Sequence, residues 1–369
     1  MERILIFGMT ENPGGVESFL INYYRHIDRS RVQFDFLCNS YEKVAYEDEL
    51  KKLGGRCFHI IARSKNPVRY KEQLNKVFAK HHGEWNTVWV NVCSLANIDY
   101  LVIAKKYGIK RRIIHSHNSE NMDSALRKVL HELNKRRIGK YATDFWACSE
   151  AAADWFYQGE MRKKVLIIKN AIDARAMAFD ANEGRQIREK LHADDKFVIG
   201  NVGRLHFQKN QSFAIDVFYR YHQINENSVL VFVGQGEDLH KLKDKVRRLH
   251  IEKDVLFVGV RKNIRAWLSA FDVFLFPSKF EGLSISAMEA QANGLPVIAS
   301  DKVIPPEVKI TDHFTFLSLE DGVDRWVKEL VKCQSLTRED SESIMESFKA
   351  KGFDISQEAY RLEDLLLGR

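Results

Sequence analysis

The 369-residue sequence lacks several features that mark common protein classes. Its five cysteines form no C-x-x-C pair, which argues against a disulfide framework and against a cysteine-based zinc site. Six prolines and twenty glycines are too few for a collagen-like or low-complexity chain. No apolar run approaches the ~18–20 residues that cross a membrane, and the first run, residues 4–7, is shorter than the apolar core of a secretory signal. We therefore expect a cytoplasmic protein.

Four catalytic or cofactor-binding signatures are also missing. The chain contains no G-x-x-x-x-G-K-[ST] phosphate loop, no G-x-S-x-G nucleophile elbow and no H-E-x-x-H metal motif. Gly234-Gln235-Gly236 begins like a dinucleotide fingerprint but continues with Glu-Asp-Leu, so the third glycine is absent. P-loop, dinucleotide, serine hydrolase and zincin chemistries are therefore not predicted.

The charge balance gives a formal net charge of +7 and a pI of about 9.0. This excess suits an anionic partner, but it does not choose among nucleic acid, acidic lipid and a phosphorylated substrate. Much of it lies in residues 105–140, where eleven Lys and Arg stand against three Asp and Glu. The basic residues are Lys105, Lys106, Lys110, Arg111, Arg112, Arg127, Lys128, Lys135, Arg136, Arg137 and Lys140.

This basic stretch has two interpretations. It is either a solvated helix face or a patch that attracts an anionic membrane, at about 1 kcal/mol per basic residue near the surface. Apolar residues on a helical stripe are expected to pack inward and to leave basic side chains exposed. The stripe is Met122, Leu126, Val129 and Leu133, and the basic side chains expected at the surface are Arg127, Lys128 and Arg136.

Short apolar runs alternate with segments of helical period along the whole chain. The runs are residues 4–7, 34–37, 88–92, 113–114, 145–147 and 165–168, then 197–202, 229–233, 255–258, 273–276 and 296–299. Continuous apolar runs indicate strands covered on both faces, so we predict an α/β fold class with two doubly wound domains. We place these domains at residues 1–175 and 190–350, with the charged segment 181–196 as the link. The apolar spacing near the C-terminus predicts a helix at residues 352–369 that packs on a domain.

The segment richest in chemistry follows the run at residues 273–276. A helix is predicted to begin near Leu283 and Ser284, and backbone amides at a helix start bind anions. Glu281 precedes this helix and Glu289 lies on it eight positions later. Either carboxylate alone is explained as a solvated charge, but their combination with Gly282 around one crevice favours a ligand site.

A second candidate loop contains Gly203, Arg204 and Lys209, directly after the first run of the second domain. In open α/β sheets the ligand loops follow the carboxyl ends of strands. The glycine lets the backbone turn closely, and the two cations suit a diphosphate. Solvated loop charges are the alternative explanation.

Two loops of the first domain carry weaker signals. Gly14 and Gly15 permit a loop whose backbone approaches a ligand, although a tight turn explains them equally well. His115 and His117 have no third ligand nearby, which argues against a metal. A single hydrogen-bonding histidine in the cleft between the domains is the better functional interpretation.

Taken in order and spacing, these motifs resemble the family 4 glycosyltransferases over nearly the whole chain. The resemblance depends on Gly14-Gly15-Val16-Glu17, His117, Gly203-Arg204-Leu205 with Lys209, Phe232-Val233-Gly234-Gln235-Gly236, and Glu281-x7-Glu289 before Gly294-Leu-Pro-Val. Asp28-Arg29 with Phe34-Asp-Phe, and Ser300-Asp with Ile304-Pro-Pro-Glu-Val, resemble the branch that serves bacterial exopolysaccharide or capsule assembly.

The resemblance implies a GT-B architecture, in which two Rossmann-like domains face each other across a cleft and the C-terminal helix returns to the first domain. It implies a retaining hexosyl transfer from a nucleotide-sugar donor, with no obligatory metal or other cofactor. The donor implied is a UDP-sugar, with a GDP-sugar as the alternative. A lipid-diphosphate-linked or saccharide acceptor is expected, with the enzyme peripheral on the inner face of an anionic membrane and no nucleic-acid partner.

The resemblance also assigns roles to the second-domain candidates. Arg204 and Lys209 bind the donor diphosphate and stabilise charge on the leaving group. Glu289 accepts hydrogen bonds from the ribose hydroxyls, and Glu281 contacts the donor sugar. The remaining implied contacts are backbone amides around Gly282, Leu283 and Ser284 for the sugar and phosphates, and Val260 and Arg261 beside the base.

In the first domain, the resemblance places His117 against the donor sugar near the reacting carbon, and Gly14 and Gly15 over the phosphates. One departure from the family pattern is Asn170-Ala171-Ile172-Asp173, where many relatives have glycine in place of Ala171. Glycine adopts positive φ readily and alanine does not, so the loop between the domains is expected to differ.

Two other functions are consistent with parts of the sequence. A GT-B sugar-nucleotide epimerase would use the same cleft without an acceptor. A non-catalytic nucleic-acid binder would account for the high pI, but the basic stretch has neither interleaved aromatics nor a binding module beside it.

Overall fold

The computed structural model describes residues 1–118, 125–281, 283–302 and 304–368, and the chain divides into two units. Unit 1 comprises Met1–Ala171 and Ile355–Arg369, and unit 2 comprises Ile172–Asp354. Each unit contains one parallel β-sheet whose strands alternate along the chain with helices, as predicted for an α/β fold.

Unit 1 is built on a seven-stranded sheet. Its strands are β1 (Glu2–Phe7), β2 (Val32–Cys38), β3 (Arg56–His59), β4 (Thr87–Val92), β5 (Arg111–Ser116), β6 (Asp144–Ala147) and β7 (Leu166–Ile167). Its helices before the unit boundary are α1 (Gly15–His26), α2 (Glu47–Lys52), α3 (Pro67–His81), α4 (Asp99–Lys106), α5 (Ala125–Lys135), α6 (Glu150–Phe156) and α7 (Gly159–Lys163), with 3-10 turns at His82–Glu84 and Ile138–Lys140. The strand order is β3-β2-β1-β4-β5-β6-β7, so the order reverses between β1 and β4.

Unit 2 is built on a six-stranded sheet. Its strands are β8 (Phe197–Val202), β9 (Ser228–Val233), β10 (Val255–Gly259), β11 (Val273–Phe276), β12 (Val297–Ser300) and β13 (Phe314–Leu317). Its helices are α8 (Ala181–Leu191), α9 (Gln211–His222), α10 (Leu239–Arg248), α11 (Ile264–Ala270), α12 (Ile285–Ala292), α13 (Val323–Cys333) and α14 (Ser341–Ala350), with 3-10 turns at Pro306–Val308 and Leu319–Asp321. The order β10-β9-β8-β11-β12-β13 is the Rossmann order 3-2-1-4-5-6, which places a ligand crevice where β8 and β11 end.

The last helix, α15 (Ile355–Leu367), belongs to unit 1. Glu363 on α15 accepts a hydrogen bond from the backbone N–H of Asp28 at 2.9 Å and pairs with Arg31. Arg111 donates to the carbonyls of Leu365 and Leu366 at 2.6 and 2.9 Å. A cation at the last carbonyls of a helix stabilises its C-terminus, so one arginine of the basic stretch has a structural role.

The apolar runs became strands because both sheets are covered on both faces. Every residue of β2 and of β9 is buried. Two strands were not predicted. In β3 the sequence Arg-Cys-Phe-His is only partly buried, and Arg56 reaches the buried Asp35 carboxylate of β2. The second strand that was not predicted, β13, forms an edge of the second sheet, next to β12.

The prediction of a link at residues 181–196 was wrong, because the units divide between Ala171 and Ile172. Residues 181–191 form α8, which is capped by the Asp180 side chain accepting from the backbone N–H groups of residues 182 and 183. Gly184 lets α8 lie directly on α11, since a Cβ there would come within 2.5 Å of the Ser269 carbonyl oxygen. Of the charges that suggested a linker, Arg185, Glu189 and Lys190 are exposed on this helix. Glu183 and Arg188 instead pair with Arg265 and Asp272 of the same unit.

The expected orientation of the apolar stripe was also wrong. On α5 the side chains of Leu126, Val129 and Leu133 are 70%, 55% and 52% exposed, while Met122 lies outside the described residues. The docked face of α5 is polar. His131 Nδ1 accepts from the Leu95 backbone N–H at 3.1 Å, and Asn134 donates to the Leu95 carbonyl at 2.7 Å. Hydrogen bonds to the backbone after β4 therefore hold α5 with its apolar stripe facing outward.

Ala171, the departure from the family pattern, is fully buried. It is not among the positive-φ residues of the described chain, so the alanine is accommodated without backbone strain. Within the described ranges, the structure has no helix of the length and apolar character needed to span a membrane.

Candidate active site

Two glycines with positive φ shape neighbouring loops: Gly203 directly follows β8 and Gly234 directly follows β9. Gly203 has φ +156° and Gly234 has φ +140°. A Cβ on Gly234 would lie 2.0 Å from the Gly203 carbonyl oxygen, so the two loops touch backbone to backbone. The Gly203 N–H donates to the Val233 carbonyl at 3.0 Å, which fixes this contact. The predicted close turn at Gly203 is therefore present. The backbone at Gly203 can approach the next loop this closely because residue 234 has no side chain.

Lys209 and Glu281 form a buried ion pair at the carboxyl ends of β8 and β11. Lys209 Nζ lies 2.7 Å from Glu281 Oε1, and the two side chains are only 17% and 7% exposed. The ammonium also lies 4.8 Å from the centre of the Phe276 ring. In such a pair each group loses much of its hydration and gains the other as partner, so removing either one leaves the other buried without its partner.

Arg204 is placed differently from Lys209. Its guanidinium pairs with Glu237 through two hydrogen bonds, Nε to Oε2 at 3.0 Å and a short one to Oε1. The Arg204 side chain is 65% exposed. The predicted diphosphate-binding guanidinium of Arg204 is therefore ion-paired with the Glu237 carboxylate in this structure.

Polar residues that sequence reasoning missed hold the two loops together. The Gln208 side chain donates to the Phe280 carbonyl at 3.0 Å, and the Gln208 backbone carbonyl accepts from the Lys279 N–H at 2.7 Å. The buried Gln211 donates to the Arg204 carbonyl at 2.9 Å. Amide side chains next to a glycine-rich strand end are the signal that could have identified them, since such loops need hydrogen bonds to replace sheet contacts.

The helix α12 begins at Ile285, as predicted, with Ser284 as its N-cap. Leu283 and Ser284 are buried, and Gly282 lies outside the described residues. Glu289 is partly buried on α12, and burial raises the pKa of its carboxyl to about 7. A carboxyl that has lost hydration without gaining a cation is suited to accept hydrogen bonds from a ligand.

Val260 and Arg261 directly follow β10, at the same edge of the sheet as the loops above. Val260 is 46% exposed, and the guanidinium of Arg261 lies 5.4 Å from the centre of the Trp267 ring. Both side chains are thus presented at the carboxyl edge of the second sheet.

In unit 1, Gly14 and Gly15 lie at the start of α1, where Gly14 is the N-cap. A Cβ on Gly14 would lie 2.8 Å from Glu17 Oε2. Glu17 Oε1 accepts from Thr10 through the backbone N–H at 3.1 Å and the hydroxyl at 2.5 Å. Burial raises the pKa of Glu17, and its carboxylate ties the β1–α1 loop to the helix that follows.

His117 follows β5 at the carboxyl edge of the first sheet, in contact with α1. Its ring lies 4.8 Å from the Phe19 ring and 4.1 Å from the His115 ring. Nε2 is 2.9 Å from Asn91 Oδ1. Burial lowers the pKa of His117 to about 3, so the ring is neutral at physiological pH.

A cleft of about 460 Å³ lies at the other edge of the second sheet, beside Phe271 and Asp272, which precede β11. Its Arg338 donates to the carbonyls of Leu268, Ser269 and Phe271 at the end of α11. That arginine caps the helix α11. Ligand loops in such sheets follow the carboxyl ends of the strands, whereas this cleft lies where β11 begins, so it is not our candidate for donor binding. Within the described ranges, no cluster of three or more His, Cys, Asp or Glu could hold a metal ion.

Comparison with known proteins agrees with this geometry. A family model described as glycosyl transferases group 1 matches residues 183–338. The chain is 31% identical over 368 residues to the protein named glycosyltransferase EpsF of Bacillus subtilis (strain 168), covering 96% of this chain and 94% of EpsF. It is 29% identical over 214 residues to the UDP-Gal:alpha-D-GlcNAc-diphosphoundecaprenol alpha-1,3-galactosyltransferase of Escherichia coli, covering 55% of this chain and 54% of that protein. Anabaena HepE, solved with UDP-glucose, matches with a TM-score of 0.78 at 19% identity over the full length of both chains.

The two Rossmann-like units are those of the GT-B fold, which confirms the predicted fold class. The chain belongs to the glycosyl transferases group 1 family, and it is a glycosyltransferase of polysaccharide biosynthesis. The epimerase alternative is not supported.

Proposed function

We propose that this enzyme transfers a sugar with retention of configuration from a UDP-sugar to a lipid-diphosphate-linked or saccharide acceptor at the cytoplasmic face of an anionic membrane. A GDP-sugar is the alternative donor. The buried ion pair of Lys209 and Glu281 carries the proposal. It lies at the strand ends where the helix α12 begins, so a cation and helix-start amides are available to a leaving diphosphate. The donors named for the Escherichia coli relative and for HepE support uridine.

In the proposed reaction the bond between the sugar C1 and the diphosphate oxygen breaks, and negative charge grows on the leaving diphosphate. Lys209, Arg204 and the α12 amides stabilise that charge. The acceptor hydroxyl attacks C1 from the same face, and its proton passes to the departing phosphate oxygen. Glu281, already held by Lys209, accepts hydrogen bonds from the sugar, and Glu289 accepts them from the ribose.

Donor binding and product stereochemistry test the proposal together. Thermal unfolding is measured with UDP-glucose, UDP-galactose, UDP-N-acetylglucosamine and GDP-mannose in turn. A ligand at 100 times its Kd adds about 2.7 kcal/mol to the free energy of unfolding. We expect at least one UDP-sugar to raise Tm and EDTA to leave turnover intact. If only GDP-mannose raised Tm, the donor nucleotide would be GDP and the UDP part of the proposal would be wrong. A product with inverted anomeric configuration by NMR would refute retention.

Removing the carboxylate that pairs with Arg204 should strengthen donor binding. In Glu237→Gln the guanidinium is released, and a negative charge beside the diphosphate is lost. Exposed ion pairs are worth about 0.2–1 kcal/mol, so we expect about 1.4- to fivefold tighter UDP-sugar binding in calorimetry. Glu226→Gln, an exposed carboxylate just before β9, is the matched control and should not change affinity. Weaker binding by Glu237→Gln would mean that Glu237 orients Arg204 for the ligand.

The membrane part of the proposal rests on α5. Its outward apolar stripe, Leu126, Val129 and Leu133, is accompanied by exposed Arg127 and Lys128 on the same helix. A helix with an exposed apolar face and basic flanks lies in the interface of an anionic bilayer. The exposed stripe thus favours the membrane over the alternative of an ordinary solvated face.

We expect the protein to sediment with anionic phosphatidylglycerol vesicles but not with neutral phosphatidylcholine vesicles, and high salt to weaken the binding. Replacing Arg127, Lys128 and Arg136 by Glu should abolish binding, because the electrostatic attraction reverses. Replacing the apolar stripe by Ser should reduce it at constant charge. Turnover on a short soluble acceptor should be unchanged in both variants.

The matched control reverses three basic residues on α10 of unit 2, Lys241, Arg247 and Arg248. This variant has the same net charge as the α5 variant and should still bind anionic vesicles. If the α5 variant and the wild type bound anionic vesicles equally, the basic stretch would be an ordinary solvated surface and not a membrane-binding patch.

A further inference from the structure

The hydrogen bond between Asn91 and His117 bears on which nitrogen of the imidazole carries the proton. Asn91 lies in β4, is 1% exposed, and its Oδ1 is 2.9 Å from His117 Nε2. The Asn91 side-chain nitrogen is directed to the Trp89 carbonyl at 3.4 Å. The amide oxygen is therefore the atom turned to the imidazole, and an oxygen can only accept. Nε2 must carry the proton of this bond.

The surroundings keep the Asn91 side chain in place. Gly8, with φ +142°, lies against it so closely that a Cβ on Gly8 would come within 2.8 Å of both Asn91 Cβ and the Asn91 carbonyl oxygen. On the other side the His117 ring meets Phe19 at 4.8 Å and His115 at 4.1 Å. Turning the Asn91 amide over would set its oxygen against the Trp89 carbonyl, so the hydrogen bonds favour the observed orientation of the amide.

We propose that Asn91 is a positioning residue that holds His117 as the neutral tautomer protonated on Nε2, so that Nδ1 is presented to the substrate as a hydrogen-bond acceptor. Its partner is a substrate hydroxyl, since a hydroxyl donates to an unprotonated nitrogen and a phosphate oxygen does not. His117 then recognises a sugar O–H and does not deliver a proton to the leaving group. The identity of that hydroxyl rests on the proposed function, whereas the tautomer is a property of the ligand-free protein.

The tautomer is measured directly. In protein labelled with 15N-histidine, long-range proton–nitrogen correlation spectra distinguish the two neutral tautomers, and the His117 signals are assigned by their loss in His117→Gln. We expect the Nε2-protonated pattern in wild type and in Asn91→Asp, whose carboxylate also accepts. Asn91→Leu, of similar size but without an acceptor, should give a mixture of tautomers. An Nδ1-protonated ring in wild type, or an unchanged ring in Asn91→Leu, overturns the inference whether or not any donor is used.

Kinetics provide the second measurement. We expect Asn91→Leu and His117→Ala each to lower kcat/KM by about tenfold to a hundredfold, and the double variant to lose no more than either single one. Gln33→Leu removes another buried amide of the same sheet, away from His117, and should lower Tm while leaving kcat/KM unchanged. Additive losses in the double variant would show that Asn91 acts independently of His117. Failure of every UDP- and GDP-sugar as donor would remove the proposed function and leave the tautomer result standing.

Discussion

Replacing Lys209 by Ala is expected to lower kcat by about 10²–10³-fold, with a much smaller change in donor affinity. In the proposed reaction the leaving diphosphate gains negative charge as the C1–O bond breaks, so a cation fixed beside it would stabilise the transition state more than the bound donor. Lys209 is fixed, because its side chain is only 17% exposed and its Nζ lies 2.7 Å from Glu281 Oε1. Turnover at saturating UDP-sugar, together with donor affinity by calorimetry, separates the two effects.

This variant also leaves Glu281 buried without its cation, so a loss of folding must be distinguished from a loss of chemistry. Thermal unfolding of the ligand-free variant gives the working temperature range, and turnover is measured well below Tm. Lys279→Ala is the matched control, since Lys279 is exposed on the neighbouring loop and should retain wild-type kcat. If Lys209→Ala turns over near the wild-type rate at saturating donor, the lysine is a structural partner of Glu281 and no more.

The strands were predictable because their burial is recorded in the sequence. Residues 197–202 are an apolar run and form β8 with the same bounds. The edge strand β3 gave no such signal, since its four residues are only partly buried and their pairing with β2 depends on Arg56 and Asp35, which lie 21 positions apart. Edge strands have one neighbour and need less apolar surface, so tertiary contacts decide them.

The sequence was sufficient to predict which loops form the candidate site, but not which of their charged residues form ion pairs with each other. The glycine at 203 and the carboxylate spacing at 281 and 289 identify the strand ends where ligands bind. The pairing of Lys209 with Glu281 and of Arg204 with Glu237 joins residues 72 and 33 positions apart, which no local pattern encodes. Which of two neighbouring cations is buried and which is exposed therefore came only from the structure.

The same limit explains the orientation of α5. Periodicity states that Leu126, Val129 and Leu133 share one face, but it does not state what covers that face. Here the polar His131 and Asn134 satisfy the backbone of Leu95, and the apolar stripe is left outside. Periodicity therefore predicted the face that these apolar residues share, whereas the polar contacts of His131 and Asn134 decided which way that face turns.

Glu289 should make donor affinity depend on pH. Burial raises the pKa of its carboxyl from the ordinary 4.5 to about 7 in the ligand-free protein. In the proposed donor complex the ribose hydroxyls donate to the ionised carboxylate, so the donor is expected to bind the form of Glu289 that has lost its proton. With a pKa near 7, UDP-sugar affinity should rise about thirtyfold between pH 5.5 and pH 8, and calorimetry in buffers of different ionisation heat should register proton release below pH 7.

Glu289→Gln separates this carboxyl from the other groups that titrate in the same range. The amide should bind the donor more weakly at pH 8, by about 1.5–3 kcal/mol for lost charge-assisted bonds, and with little pH dependence. Because the folded pKa lies above the unfolded one, folding favours the protonated acid, and wild-type stability from this group falls as pH rises from 4.5 to 7. The unfolding free energy of Glu289→Gln relative to wild type should accordingly rise by about 3 kcal/mol over that range. Glu342→Gln, an exposed carboxylate on α14, should match wild type in both measurements. A wild-type affinity that is flat from pH 5.5 to pH 8 would exclude Glu289 as the ribose acceptor.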